Sequence, residues 1–306
     1  MRVLSIQSAV TLGAVGNTIA APVFASLGVL AARLDTIQLA AHPGHLAGIA
    51  NNLSSGSFAG VALDADVMLA MVEAIDKLGG FATMDALISG YHGSAGQIDA
   101  TARAIRCLRH QRPDAVVVID PAVGDHDQLY VAPAVATAIR DRLLPMADLI
   151  TPNRFELAWL SGMAVETPNQ AAKAAGLLLQ NLPDLRGIAV TGITGTGITS
   201  QASTESKETD RITDLWLGRD DIVHFSHQPA LRYHRQGVSG GGDLFAALLL
   251  GLGLCRQQDW LAAFSEASRL AGIILQHADN QAAAGEGGHG DINLASLPQL
   301  LSEENC

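Results

Sequence analysis

The sequence predicts an α/β protein whose largely parallel sheet is covered by helices on both faces. Short β-type runs alternate with helical patterns along the whole chain, as in folds where helices join parallel strands. The apolar run Ala115–Ile119 is typical of a strand buried on both faces. Since no fixed-period repeat and no long linker interrupts this order, we expect one domain over residues 1–306.

Each element follows from its own pattern. The predicted strands are Val3–Ser8, Val29–Leu39, Ala86–Tyr91, Ala115–Asp120, Asp148–Ile150, Gly187–Thr191 and a hairpin of Ile212–Leu217 with Ile222–Phe225. The predicted helices are Ile19–Leu27, Asp64–Leu78, Ala95–His110, Pro133–Arg142, Gln170–Leu179, Leu244–Leu254 and Trp260–Leu275. Pro152 is expected to start one more helix containing Asn153 and Glu156, because proline suits a first helical turn. The predicted loops are His42–His45, Gly192–Thr209 and Gln281–Gly290.

Composition narrows the class of protein. The chain of 306 residues is 48% hydrophobic with a net charge of −11, which argues against nucleic acid as a partner. Its three cysteines show no CxxC spacing, so we expect neither a zinc site nor disulfides but a reduced, cytoplasmic protein. Polar residues interrupt the apolar N-terminus, which disfavours a signal peptide or a membrane span.

The glycine-rich stretch from Gly237 to Asp243 is the first candidate site. Gly240, Gly241 and Gly242 precede Asp243 and an apolar helical run. Such a turn leaves N–H groups unpaired at a helix start, where they attract anions such as phosphate. Asp243 is then either a functional carboxylate or an ordinary residue at a helix start.

Polar residues also follow most of the predicted strands, at the edge where ligands bind in open α/β sheets. They are Ser8, Tyr91, Asp120, Asn153, Glu156, Thr191 and Asp243. Asp120 and Asp125 with Asn153 and Glu156 could supply oxygen ligands for magnesium, or Asp120 could simply cap a turn while Asp125 is solvated.

Other motifs are weaker. The stretch from Thr191 to Gly197 could admit a nucleotide, but it lacks the Gly-Lys-Ser/Thr ending of a P-loop. Serine hydrolase chemistry is disfavoured because there is no Gly-x-Ser-x-Gly elbow. Of the histidines in the turn after the second strand, His42 is a better candidate ligand than His45.

Together these motifs resemble the ribokinase-like superfamily, and within it the pyridoxal kinases. The residues that carry the resemblance are Ser5–Ser8 with Gly16-Asn17, Thr36–Gln38 with His42, Ser89–Ser94, Asp120–Asp125 with Tyr130–Pro133, Thr151–Asn153 with Glu156-Leu157, and Gly240–Ala247. The resemblance runs from about Val3 to Leu275. It implies a three-layer α/β/α sandwich and transfer of the γ-phosphate of ATP to the 5′-hydroxyl of pyridoxal, pyridoxine or pyridoxamine.

The resemblance also implies a role for each residue. Asp243 would be the base and Gly240, Gly241 and Gly242 would stabilise the transferring phosphoryl group. The implied ATP-binding residues are Asp120, Thr151, Asn153, Glu156, Thr191, Gly240 and Gly242, and the implied Mg²⁺ ligands are Asp120, Asp125 and Glu156. Substrate would contact Ser8, Thr36, His42, Tyr91, Tyr130 and Asp243, with Tyr130 in a flap. A homodimer is implied as well, and a monovalent cation, K⁺ or Na⁺, stays open.

The chain departs from the family pattern around the substrate. Gly241 stands in the middle of the glycine motif, where the family has threonine or valine. The family's histidine, aromatic and polar residues are replaced at Ala9, Leu39, Ala40, Ala41 and His45. Two alternatives therefore stay open: hydroxymethylpyrimidine kinase of the same fold, and a non-catalytic protein that binds a vitamer or nucleotide.

Overall fold

A computed structural model describes residues 1–42, 59–193, 211–229, 239–283 and 292–302. The strands are β1 (Arg2–Leu12), β2 (Leu30–Ala41), β3 (Gly60–Ala62), β4 (Ala86–Ser89), β5 (Val116–Ile119), β6 (Gly124–Asp125), β7 (Gln128–Leu129), β8 (Leu149–Ile150), β9 (Gly187–Ile193), β10 (Arg211–Gly218) and β11 (Val223–Pro229). The helices are α1 (Asn17–Ser26), α2 (Ala65–Lys77), α3 (Ala95–Gln111), α4 (Pro133–Ala138), α5 (Arg154–Ser161), α6 (Pro168–Asn181), α7 (Gly241–Cys255), α8 (Trp260–Ala283) and α9 (Leu297–Ser302).

One sheet of nine strands organises the described residues, in the order β11-β10-β9-β8-β5-β4-β1-β2-β3. The strands from β9 to β2 in this order are parallel to their neighbours. Antiparallel strands stand at both edges, β3 beside β2 and the pair β10 and β11 beside β9. The predicted mostly parallel sheet and the predicted hairpin are both confirmed.

Two hydrophobic cores, one on each face of the sheet, make the architecture three-layered. In β5, Val117 and Ile119 belong to one core, with side chains of α2, α3, α5 and α6. Val116 and Val118 belong to the other core, with side chains of α1, α7 and α8. A strand buried on both faces needs an unbroken apolar run, because alternate side chains point to opposite faces. The run that predicted this strand therefore serves both cores.

Several predicted boundaries were wrong: β1 and β9 run past Ser8 and Thr191, and α7 begins at Gly241 rather than Leu244. The helix expected to start at Pro152 begins at Arg154, because Asn153 caps it with its side chain from outside the helix. The last long helix does not stop at Leu275 but continues to Ala283, so the expected loop from Gln281 begins inside it. The short elements β3, β6, β7 and α9 were not predicted.

Some predictions fall outside the described residues. They are the turn after His42, including His45, the polar loop beyond Ile193, Gly237 and Val238 of the glycine-rich stretch, and the loop after Ala283. Among the helices that are described, none combines the length and apolar character needed to cross a membrane.

Candidate active site

The carboxyl ends of the central strands meet at one edge of the sheet and carry most of the predicted site residues. Backbone hydrogen bonds join these ends: the Gly90 N–H donates to Ile6, the Asp120 N–H to Ser89 and the Thr151 N–H to Ile119. Asp120 comes directly after β5, and Tyr91 follows β4 at a distance of two residues. These backbone hydrogen bonds hold the residues that follow the central strands side by side at this edge.

Ser8 reaches this edge by a different route from the one predicted. Strand β1 does not end at Ser8 but continues to Leu12, and its pairing with β2 shifts register between Gln7 and Ala9. Ser8 therefore lies in an irregularity inside the strand. Such bulges change the direction of a side chain and are common next to active sites.

The glycine turn forms the start of α7, which begins at Gly241 rather than at the predicted Leu244. Gly240 is the N-cap residue, with a left-handed backbone (φ of +91°) and no side-chain hydrogen bond to the helix. A Cβ atom on Gly240 would lie 2.0 Å from the Ala14 carbonyl oxygen, so only glycine fits there. The first N–H groups of α7 consequently point at the site without a capping side chain.

Asp243 is half-buried in the first turn of α7. Burial raises the pKa of Asp243 to about 6, and a hydrogen bond from the Gly16 N–H opposes the rise. Gly16 is itself locked, since its φ is +53° and a Cβ atom on it would lie 2.1 Å from the Ser8 carbonyl oxygen. The segment from Ala14 to Gly16 thus packs against Gly240 and binds Asp243, and we call the two segments the paired glycine turns.

Asp120 lies beside the same turn. A Cβ atom on Gly242 would be 3.9 Å from the Asp120 carboxylate, and Asp120 is only 6% exposed. Burial raises the pKa of Asp120 well above its ordinary value, and the negative charges of Glu156 and Asp243 raise it further. A cation at Asp120 would relieve this repulsion.

Glu156 is held by hydrogen bonds from the backbone. One carboxylate oxygen accepts the Val123 N–H at 2.8 Å and the other accepts the Asn153 N–H at 3.0 Å. Asn153 completes a capping box by accepting the Glu156 N–H at 2.9 Å, and its amide donates to the Gly124 carbonyl at 2.8 Å. Burial raises the pKa of Glu156 to about 7, and the backbone hydrogen bonds oppose the rise. In this structure both residues fix the loop after Asp120.

The predicted trio of magnesium ligands does not form a single group. Asp125 has a 53% exposed side chain and accepts the N–H of His126 at 2.7 Å, while Glu156 is engaged as described. Across the described ranges, no three His, Cys, Asp or Glu side chains are arranged to hold a metal ion. Of the three, Asp120 alone has its carboxylate against the glycine turn.

Thr151 and Thr191 are the two threonines predicted to contact the nucleotide phosphates. Thr151 is buried, and its hydroxyl has no hydrogen-bond partner among the described residues. Thr191 is half-buried, donates its N–H to the Pro152 carbonyl at 3.1 Å and bridges to Asn153. A buried hydroxyl without a partner is a costly arrangement that a bound acceptor would relieve.

Tyr91 and Tyr130 mark the side predicted for the substrate. Their ring centroids are 6.3 Å apart, and Tyr130 follows a small hairpin formed by β6 and β7. Arg154 ties this hairpin to α5 through an ion pair with Asp127. Burial raises the pKa of the Tyr130 hydroxyl, as do the nearby carboxylates of Glu156 and Asp120, although 53% of the residue's surface is exposed.

Thr36 and His42, two further residues predicted to contact the substrate, differ in burial. Thr36 is completely buried, and its hydroxyl donates to the Tyr91 carbonyl at 2.8 Å, so it positions Tyr91, and its burial counts against direct contact with a substrate. His42 directly follows β2 at the same edge of the sheet.

Three structural roles were not predicted from the sequence. Gly16 was noted as part of a motif, but nothing in the sequence showed that its N–H binds Asp243. His92 is buried between the Gly90 carbonyl and the Thr101 hydroxyl, both at 2.8 Å, and burial lowers the pKa of His92 to about 4. Gln97 donates to the Thr36 and Leu63 carbonyls. The sequence signals them only weakly, by the place of Gly16 and His92 in or beside glycine-containing turns and of Gln97 three residues after the cap residue Ser94.

Comparison with known proteins identifies the family. The family model described as phosphomethylpyrimidine kinase matches residues 62–293. A pyridoxine/pyridoxal/pyridoxamine kinase from Bordetella bronchiseptica is 33% identical over 294 residues, which make up 96% of this chain and 93% of the relative. The chain belongs to the pyridoxal kinase family. Another relative, pyridoxal kinase PdxY from Actinobacillus pleuropneumoniae, is 29% identical over 90% of this chain and 88% of its own length.

Solved structures extend the family likeness to the fold. The pyridoxal kinase from Leishmania donovani, in complex with ADP, superposes with a TM-score of 0.80 at 23% sequence identity and covers 99% of this chain and 96% of its own. This pyridoxal kinase family member therefore has the ribokinase-like α/β/α fold that its motifs predicted.

Proposed function

We propose that the protein is an ATP-dependent kinase that phosphorylates the 5′-hydroxymethyl group of pyridoxal, and of pyridoxine and pyridoxamine. The observation that carries the proposal is the setting of Asp243, a half-buried carboxylate at the uncapped start of α7. The family relatives bear the names of B6 vitamer kinases, which supports this choice of substrate.

Asp243 has the properties of a general base for an alcohol. The hydroxyl must lose a proton as it attacks phosphorus, and a carboxylate within hydrogen-bond reach can accept it. With a pKa of about 6, Asp243 is ionised at neutral pH and a stronger base than an exposed aspartate. The Gly16 N–H holds the carboxylate in place, so the acceptor is oriented before substrate arrives.

The glycine turn suits the transferred phosphoryl group. Gly240, Gly241 and Gly242 leave their backbone open on the site side, and the positive end of the α7 dipole lies there. Charge on the phosphoryl oxygens grows or shifts during transfer, and N–H groups fixed in advance stabilise it. Asp120, beside Gly242, and the unpartnered hydroxyl of Thr151 lie where nucleotide phosphates would approach.

The residues present fit Mg²⁺ bound mainly through the nucleotide. Magnesium in kinases takes one or two carboxylates and fills its remaining positions with phosphate oxygens and water, so a group of three protein ligands is unnecessary. Asp120 would be the direct ligand, and Glu156 would act through the loop that it holds. Bound magnesium would neutralise charge on the phosphates, and it would remove the repulsion between Asp120 and Asp243.

Tyr91 and Tyr130 would enclose the substrate ring, and Ser8 within β1 and His42 directly after β2 would also contact it. Excluding water at this point matters because water would otherwise accept the phosphoryl group. The hairpin that carries Tyr130 is the flap in this proposal.

One alternative substrate keeps support. Hydroxymethylpyrimidine is also a heterocycle with a hydroxymethyl group. The matching family model is described as phosphomethylpyrimidine kinase, and phosphomethylpyrimidine is the phosphate ester of this compound. Asp243 argues against a non-catalytic role, because a protein that only binds vitamers gains nothing from a half-buried base at the attacking hydroxyl.

We also propose a cytoplasmic homodimer. Exposed apolar side chains cluster in sequence from β3 to the end of α2, among them Val61, Val67, Met71 and, directly after α2, Leu78. Burial of such side chains stabilises association. Sedimentation equilibrium tests this, and a monomer at micromolar concentration would count against it.

The decisive experiment for function is a substrate panel under one assay. Purified protein with ATP and Mg²⁺ is offered pyridoxal, pyridoxine, pyridoxamine and hydroxymethylpyrimidine, and products are separated by chromatography. We expect pyridoxal 5′-phosphate as a major product. Turnover of hydroxymethylpyrimidine alone would replace the proposed substrate, and nucleotide and vitamer binding without turnover would favour the non-catalytic alternative. The same assay repeated with and without K⁺ or Na⁺ shows whether a monovalent cation is needed.

A further inference from the structure

Asp214 is a buried carboxylate with no part in the steps above. It lies in β10, is 7% exposed and accepts two hydrogen bonds. One comes from the Gly192 N–H at 3.1 Å and the other from the Ser268 hydroxyl of α8 at 2.7 Å. A carboxylate is costly to bury, so these bonds must offset a penalty that an apolar side chain would not incur.

The sheet is irregular where Asp214 lies. Thr213 pairs with Ile193, but Leu215 pairs with Val190, so Thr191 and Gly192 of β9 stand opposite Asp214 alone. Gly192 has a left-handed backbone, with φ of +72°. Two residues opposite one, with a left-handed glycine, form a β-bulge, which redirects a side chain at the end of a strand.

Thr191 is held from both sides of this bulge. Its own N–H donates to Pro152 at 3.1 Å, and it bridges to Asn153, the cap residue of α5. On the other side, the bond from Gly192 to Asp214 fixes the residue that follows Thr191. The conformation of Thr191 thus depends on one long-range contact to the loop before α5 and one to β10.

We propose that Asp214 is a positioning residue for nucleotide binding, because its carboxylate holds the Gly192 bulge that presents Thr191 to the nucleotide phosphates. The inference rests on the proposed function, in which Thr191 contacts those phosphates. Asp214 does not touch the nucleotide itself. Burial raises the pKa of Asp214 to about 6, and the bonds from Ser268 and Gly192 oppose the rise, so the carboxylate is ionised at the pH of a neutral binding assay.

The test measures binding of Mg²⁺-ADP by calorimetry and KM for pyridoxal by steady-state assay. Asp214→Ala should weaken ADP binding on the order of tenfold, the worth of a hydrogen bond to a charged group, and leave KM for pyridoxal unchanged. Asp214→Asn should restore most of the affinity, because its amide oxygen still accepts the Gly192 N–H. Ser268→Ala leaves the bond between Gly192 and Asp214 in place, although it also removes contacts to Ser226 and Gln228, so it should cost less ADP affinity than Asp214→Ala.

A double mutant separates positioning from a general structural role. In a Thr191→Val background, Asp214→Ala should cause little further loss of ADP affinity, because the group that it positions is gone. An equal loss in both backgrounds, unchanged ADP affinity in Asp214→Ala, or an equal rise in KM for pyridoxal would overturn the proposal. If circular dichroism shows Asp214→Ala to be unfolded, Asp214→Val, which also removes the acceptor and suits a strand, supplies the same comparison. A wild type that binds ADP but phosphorylates no vitamer would overturn the proposed function alone, since the binding comparison does not depend on transfer.

Discussion

The protonation of Asp243 should control the rate of phosphoryl transfer. A base works only when ionised, and the pKa of Asp243 is raised to about 6. We therefore expect kcat to fall about tenfold for each pH unit below this pKa and to level off above it. Asp243→Asn should lose roughly a hundredfold or more of kcat, and its residual rate should lack this dependence on pH.

The raised pKa of Asp243 also predicts how the stability of the fold depends on pH. The shift of the Asp243 pKa from 3.8 to about 6 corresponds to roughly 3 kcal/mol. Because the folded protein holds the proton more tightly than the unfolded chain, stability falls as pH rises through the window between these two pKa values, and the cost is complete above it. Asp243→Asn should therefore raise Tm at about pH 8 and change it much less near pH 4.

The assay needs saturating ATP and pyridoxal between about pH 5 and pH 8.5, with Tm measured by calorimetry on the same samples. Asp214 is the matched control, since burial raises the pKa of Asp214 to about 6 as well. Asp214→Asn should keep the decline of kcat at low pH, which assigns the decline to Asp243. A flat wild-type profile across this range, or near-normal kcat in Asp243→Asn, would refute the reasoning.

Three further substitutions test the rest of the site. Asp120→Asn should raise the Mg²⁺ concentration for half-maximal rate by about tenfold or more, while Asp125→Asn should leave it unchanged; equal shifts in both would contradict the assignment of Asp120. Thr36→Val removes the hydrogen bond that positions the substrate-side backbone, so KM for pyridoxal should rise about fivefold with KM for ATP unchanged, and a change in KM for ATP alone would argue against this role. Gly16→Ala should lower both Tm and kcat, with a loss of at least about 2 kcal/mol of stability. Gly28→Ala is its control, because Gly28 has a similar φ of +70° but open space around it; equal losses in the two would show that the contact at Gly16 is unimportant.

The features that could be predicted from the sequence were those that depend on short stretches of neighbouring residues. The apolar run of β5 and the glycines around the start of α7 each carry their structural meaning within a few residues, so the strand was placed correctly and the helix start to within one turn. The likeness of motifs supplied the fold and the family. What it could not supply was the partner of each side chain, because that depends on contacts between distant segments.

Glu156 shows this limit. An acid three residues after Asn153 is the sequence pattern of a capping box, yet the resemblance to the family implies a metal ligand at the same position. Only the folded chain shows that the backbone of Val123 occupies one carboxylate oxygen. Asp214 was not singled out at all, since a lone acid in a hairpin strand looks like a solvated residue until the bulge opposite it is visible.

The paired glycine turns have a consequence for how the chain becomes active. They bring the Ala14–Gly16 segment, near the start of the chain, against Gly240 and Asp243, near its end. Contacts between such distant segments form late in folding, because their loop-closure entropy must first be overcome. A chain still emerging from the ribosome has no oriented base until α7 has been made and has docked against the Ala14–Gly16 segment. Incomplete copies would therefore lack the base that activates the attacking hydroxyl, and a partly made chain would not act as a wasteful ATPase.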